Sequence, residues 1–147
     1  MDHVSKALEL NRGGFNCAQS VLCAFSDVTG LGRDDSLRLA AGLGGGVRSG
    51  EVCGAVSGAV LVLGAAYPFT DASDKDAKYR IANLAKEFCA RFREKYGVVT
   101  CRELLERTAG EEKRYRYCGD YVRDCAALLD EMLAENPRDL QKRRHMI

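Results

Sequence analysis

Apolar residues recur along this chain three and four positions apart, and no run alternates apolar with polar long enough to read as a strand. The spacing predicts a short first helix over Val4–Leu10, closed by Gly13 and Gly14. A second starts at Asn16, where Gln19 stands in the capping-box position. It turns Ala18, Val21, Leu22, Phe25 and Val28 inward and stops at Gly30. A third covers Asp34–Leu43, with acidic residues at its positive end. The glycine-rich stretch Gly44–Gly50 then leads into an apolar helix from Glu51 to Ala66, ended by Pro68. Within that helix Gly54 and Gly58 lie about one turn apart, leaving a bare strip that another backbone can approach closely.

Caps within Asp71–Asp76 open a long helix carrying the stripe Ile81, Leu84, Ala85, Phe88, Phe92 and Tyr96, closed by Gly97. Thr100 and Glu103 form a second capping box and start a short helix that ends before Gly110. The last helix runs over Cys118–Ala134, with Tyr121, Val122, Cys125, Leu129, Met132 and Leu133 inward and Asn136-Pro137 as its stop. The expected fold is all-α, a single-domain bundle of five to seven helices over residues 1–147. Residues 136–147 read as a flexible or weakly helical basic tail.

Composition excludes several functions. An apolar share of 46% with 29% charged residues is that of a soluble globular protein. A net charge of +1 gives no field that would draw nucleic acid or a membrane surface. Ala55–Tyr67 is nearly all apolar but far short of the ~20 residues that a membrane span needs, so it reads as a buried central helix. No export signal is read at the start, and the expected location is the cytoplasm. Thiols stay reduced there, so seven cysteines argue against a disulfide scaffold. His3 and His145 lie near the two termini, which makes a histidine-based triad improbable.

The cysteines divide by context. Cys23, Cys89 and Cys125 fall within or beside apolar stripes and read as small buried hydrophobes. Cys125 is the one of the three best placed to join a site, because it shares a helix face with Cys118. Cys17, Cys53, Cys101 and Cys118 instead stand where helices are expected to begin. Unpaired N–H groups and the helix dipole stabilise a thiolate there, and the thiolate is the form that binds metal or attacks disulfides. Alternation of helix direction in a bundle brings Cys17, Cys53 and Cys101 to one end and leaves Cys118 dependent on the preceding loop.

The glycine-rich loop before Cys53 has two readings: a tight connection between packed helices, or an anion-binding nest of N–H groups beside the thiols. Arg48 correspondingly reads as a solvated loop residue or as a cation facing an anion. Glu51 reads as an acid at the positive end of its helix or as a local base beside Cys53. Tyr115, Tyr117 and Tyr121 gather near Cys118 and read as core and rim.

The segments Asn16-Cys17-Ala18-Gln19, Gly50–Gly58, Cys101-Arg102-Glu103-Leu104-Leu105 and Cys118 resemble the C_GCAxxG_C_C family, to which redox activity is ascribed. Its central Cys-Gly-Ala-x-x-Gly element stands complete at Cys53–Gly58, and the likeness runs from about Cys17 to Leu133. Members are small prokaryotic proteins, often encoded beside transporters or oxidoreductases. Some carry export signals associated with prosthetic groups, which implies bound iron–sulfur clusters. The resemblance carries the family's four cysteines onto Cys17, Cys53, Cys101 and Cys118.

Three functions follow as expectations. The first is an iron–sulfur cluster or other metal held by Cys17, Cys53, Cys101 and Cys118, with Gly45, Gly46 and Gly54 as cofactor-binding backbone donors. Such a protein would transfer electrons or support a partner oxidoreductase or transporter. The second is a thiol–disulfide redox protein or sensor, although the chain contains no C-x-x-C. The third is a structural zinc module with the same four ligands. Expected partners are a redox protein and a second copy of the chain in a homodimer, with no nucleic acid and no membrane.

Overall fold

The computed structural model describes residues 1–107 and 111–138, the side chains of 111–117 excepted. Its α-helices are α1 (His3–Arg12), α2 (Cys17–Ala24), α3 (Ser26–Thr29), α4 (Arg33–Leu39), α5 (Gly54–Ala66), α6 (Lys75–Tyr96), α7 (Cys101–Glu106) and α8 (Glu111–Glu135). With one irregular helical turn at Gly46–Gly50 these make nine helical elements among the described residues, where five to seven were expected. The all-α class holds. Among the described residues no strand forms, and a single antiparallel bridge joins Val52 to Thr100.

The extra elements have local causes. The helix expected from Asn16 to Gly30 breaks at Phe25, whose φ of −104° and ψ of 28° leave the helical range. Ser26 Oγ donates to the Cys23 carbonyl there, competing with the regular ladder. The third helix stops at Leu39, short of the expected Leu43. The apolar helix starts at Gly54 and not at Glu51. Glu51 therefore does not serve as an acid in its first turn. The last helix starts at Glu111, well before Cys118. Residues 111–117 lack an apolar stripe, so periodicity could not see them, but glutamate, lysine and arginine propagate a helix well.

Elsewhere the end signals act as expected. Asn16 Oδ1 accepts from the Gln19 N–H at 2.8 Å, and Gln19 Oε1 accepts from the Asn16 N–H at 3.1 Å. Thr100 accepts from the Glu103 N–H, and Gly97 closes α6 with a φ of 80°. Asn136 and Pro137 are held by Tyr67, whose hydroxyl donates to the Asn136 carbonyl, and by Arg80, which donates to the Pro137 carbonyl. Residues 139–147 of the expected tail, His145 included, lie outside the described residues.

The core forms between α5, which is apolar nearly all round, and the inward faces of α2, α6 and α8. Val21, Leu22, Val56, Val62, Leu63, Phe88, Val122, Leu129 and Met132 are buried in it. His3 clasps the outside: its ring lies between Asp27 and Asp130 and stacks on Phe25 at 4.0 Å. It ties α1 to α3 and α8, a structural role. No helix among the described residues is long and apolar enough to cross a membrane.

The contact that positions the site is between α5 and α2. A Cβ added at Gly58 would lie 2.7 Å from the Ala18 carbonyl oxygen and 3.0 Å from its Cα, so the two helices touch backbone to backbone. Gly64, on the same helix, has nothing within 4 Å of an added Cβ. Gly58→Ala is expected to lose about 1 to 3 kcal/mol of stability by forcing the helices apart. Gly64→Ala should gain roughly 0.5 to 1 kcal/mol from lower unfolded-chain entropy. Urea unfolding of both variants checks the pair; equal effects would contradict the packing described.

Candidate functional site

Cys17, Cys53, Cys101 and Cys118 line one cavity of about 530 Å³. The four thiols expected from the sequence are thus brought together, Cys118 included. Cys17 is the first residue of α2, behind the Asn16 cap. Cys53 is the N-cap of α5, and its N–H donates to the Val99 carbonyl at 2.9 Å. Cys101 opens α7, and its N–H donates to the Glu51 carbonyl at 2.6 Å. These two bonds flank the Val52–Thr100 bridge and fasten the start of α7 to the entry of α5. Cys118 reaches the cavity from about two turns inside α8, which packs along α1, α2 and α5. The expectation that it opens a helix is therefore wrong.

Gly45 and Gly54 also line the cavity. Gly54 has to be bare, because a Cβ there would lie 3.2 Å from the Leu43 carbonyl oxygen and 3.4 Å from the Cys17 Cβ. Gly46 is not among the described lining residues. It is buried under Glu51, whose backbone would lie 2.5 Å from an added Cβ. Tyr121 forms part of the wall and stacks edge-on against Tyr96 at 4.9 Å. The side chains of Tyr115 and Tyr117 lie outside the described residues. Asn11 is a lining residue that the sequence did not suggest; its amide donates to the Phe15 carbonyl and braces the turn before α2. A lone asparagine at a helix end gives no signal that could have found it.

All seven cysteines are thiols. The acidities of Cys17, Cys53 and Cys118 differ, and not as helix position alone dictates. Burial pushes Cys53 up to about 12, although the amides of Ala55 and Val56 pull the other way. At 4% exposure, desolvation outweighs the helix start. Cys17 and Cys118 form a hydrogen-bonded pair in which the proton stays on Cys17. That bond brings Cys118 down to about 7 against its partial burial. The Cys17 thiol is raised by the same bond and by burial. Of Cys17, Cys53 and Cys118, the thiolate is therefore favoured at the one that does not start a helix.

Cys125 is fully buried and raised well above an ordinary thiol by desolvation. It is not among the residues that line the cavity. Among the described residues, no three His, Cys, Asp or Glu side chains gather closely enough to hold a metal ion. The four sulfurs surround a space and do not converge on a point.

Fold and site together define a class: an all-α protein built around a chamber of thiols. Matched against known protein families, residues 15–132 fit the family described as "Putative redox-active protein (C_GCAxxG_C_C)", and the chain belongs to it. No curated protein and no solved structure matched the chain.

The shared proton sets a pH dependence. Alkylation of Cys118 by iodoacetamide should follow its thiolate, rising with pH through a midpoint at about 7. Cys17→Ala removes the donor and should move that midpoint upward, while Cys17→Ser, which keeps an O–H donor, should move it less. Peptide mass spectrometry across a pH series measures both; an unmoved midpoint in Cys17→Ala would remove the hydrogen bond as the cause.

Proposed function

We propose that this protein acts by thiol–disulfide exchange, with Cys118 as the attacking thiolate and Cys17 as the resolving thiol. The observation that carries this reading is the hydrogen-bonded Cys17–Cys118 pair in an open cavity. An attacking thiol serves best when its pKa lies near ambient pH, since a lower one costs nucleophilicity and a higher one leaves too little thiolate. Oxidation of the pair makes one disulfide, with two protons and two electrons passing to the oxidant. The absent C-x-x-C is no obstacle, because helix packing supplies the proximity that a local motif supplies elsewhere. Cys53 and Cys101 stand in the same wall; burial keeps Cys53 protonated and in reserve.

A second reading draws on all four cysteines lining one cavity. They would hold an iron–sulfur cluster, which is larger than a single ion and supplies one-electron transfer. A single zinc ion is less well supported, because the described ligands do not gather tightly enough for one.

Mild peroxide treatment of reduced protein should remove two thiols, and peptide mapping should find Cys17 joined to Cys118. Cys118→Ser should abolish that loss. Stoichiometric iron and sulfide in anaerobically prepared protein, with visible absorbance, would replace the first reading with the second.

A further inference from the structure

Outside the thiol chamber lies a second cavity of about 520 Å³, lined in part by Ser49, Arg102 and Glu106. The two spaces share Gly45, Arg48, Cys101 and Leu105, so the second is a vestibule to the first. Arg48 is the one charged side chain among the described residues lining the thiol chamber. Its side chain lies over Gly45, with Cδ 3.7 Å from where a Cβ there would be. It makes no hydrogen bond or ion pair with any described side chain or backbone group. Arg102, by contrast, donates to the Ser49 carbonyl at 2.9 Å and has Glu51 at 4.0 Å.

The backbone that presents Arg48 is unusual. Gly45, Gly46, Val47 and Arg48 are all left-handed, with φ of 65°, 64°, 59° and 54°. Glycine takes that conformation readily, but valine and arginine do so only under constraint from their surroundings. Strain of this kind gathers at sites that must hold a group in place. Here it holds an uncommitted guanidinium at the threshold of a chamber of nucleophiles. A cavity of this volume suits a small molecule and not a protein segment. Guanidinium pairs with carboxylate through two parallel hydrogen bonds, which fixes orientation as well as charge.

We propose that the chamber takes small disulfides bearing a carboxylate, anchored by Arg48 at the vestibule. The inference rests on the thiol–disulfide reading and adds the substrate class to it. With R–S–S–R bound, the Cys118 thiolate attacks one sulfur. The S–S bond breaks, and the departing R–S⁻ takes the Cys17 proton to become R–SH. Cys17, now a thiolate, attacks the Cys118 sulfur and expels the second R–S⁻, which is protonated by water. The protein leaves with a Cys17–Cys118 disulfide, two equivalents of R–SH are released, and an external thiol restores the dithiol.

Single-turnover rates with dithiodipropionate, bis(hydroxyethyl) disulfide and cystamine test the proposal, each divided by the rate of dithiothreitol with the same disulfide. The normalised rate should be about tenfold higher for the anionic probe than for the neutral one, and lowest for cystamine. Arg48→Gly removes the cation yet suits the left-handed backbone, so the variant should fold. It should lose about tenfold with dithiodipropionate while the neutral probe stays within about twofold. Arg48→Lys should restore part of the loss. Equal rates for anionic and neutral probes, or an Arg48→Gly effect shared by both, would overturn the substrate class and leave the dithiol chemistry standing. Failure of every probe to oxidise the wild-type pair would instead overturn the thiol–disulfide reading.

Discussion

Everything at the thiol site depends on two helices meeting without side chains between them. Gly58 sits against the backbone of Ala18, and Gly54 against Leu43 and Cys17. Because α5 can press this closely on α2, the N-cap cysteine of one helix comes to the same wall as the first-turn cysteine of the other. The glycines of the Cys-Gly-Ala-x-x-Gly element thus have a mechanical meaning. They set the separation of two sulfurs by setting the separation of two helix axes. The bridge between Val52 and Thr100 then brings Cys101 to the same place, and α8 brings Cys118.

Once gathered, the thiols are governed by desolvation more than by helix dipoles. Cys53 has the position that favours a thiolate and still titrates high, because the cost of burying charge exceeds what two amides return. Cys118 lacks that position and titrates low, because Cys17 donates to it. A cluster of thiols this close cannot all ionise, since each negative charge raises its neighbours. Among Cys17, Cys53 and Cys118 the favoured thiolate is Cys118, beside a donor, which is an arrangement suited to nucleophilic attack.

Much of this was legible in the residues. The capping box at Asn16, the N-cap at Thr100, the stop at Gly97 and the bare strip at Gly54 and Gly58 are short-range signals with a local physical cause, and each is found in place. Cys17, Cys53 and Cys101 could be chosen for the same reason, whereas Cys118 lies inside α8 and was chosen on a helix start that is not there. The start of α8 was hidden because its first residues carry propensity without periodicity. The break at Phe25 depends on a serine hydroxyl reaching back one turn. The Val52–Thr100 bridge is a single pair, too brief to leave an alternating pattern. Which thiol ionises could not be read at all, because it is decided by a partner far away in the chain.

That distance has a consequence of its own. Cys17 and Cys118 touch across α2 and α8, yet about a hundred residues separate them along the chain. A covalent link there would enclose most of the polypeptide in a ring and remove about 4 to 5 kcal/mol of chain entropy from its unfolded ensemble. For a domain whose whole margin is roughly 5 to 15 kcal/mol, that is a large increment. The same two atoms that would exchange electrons would then also decide how hard the molecule is to unravel, so its resistance to heat and proteases would follow its oxidation state.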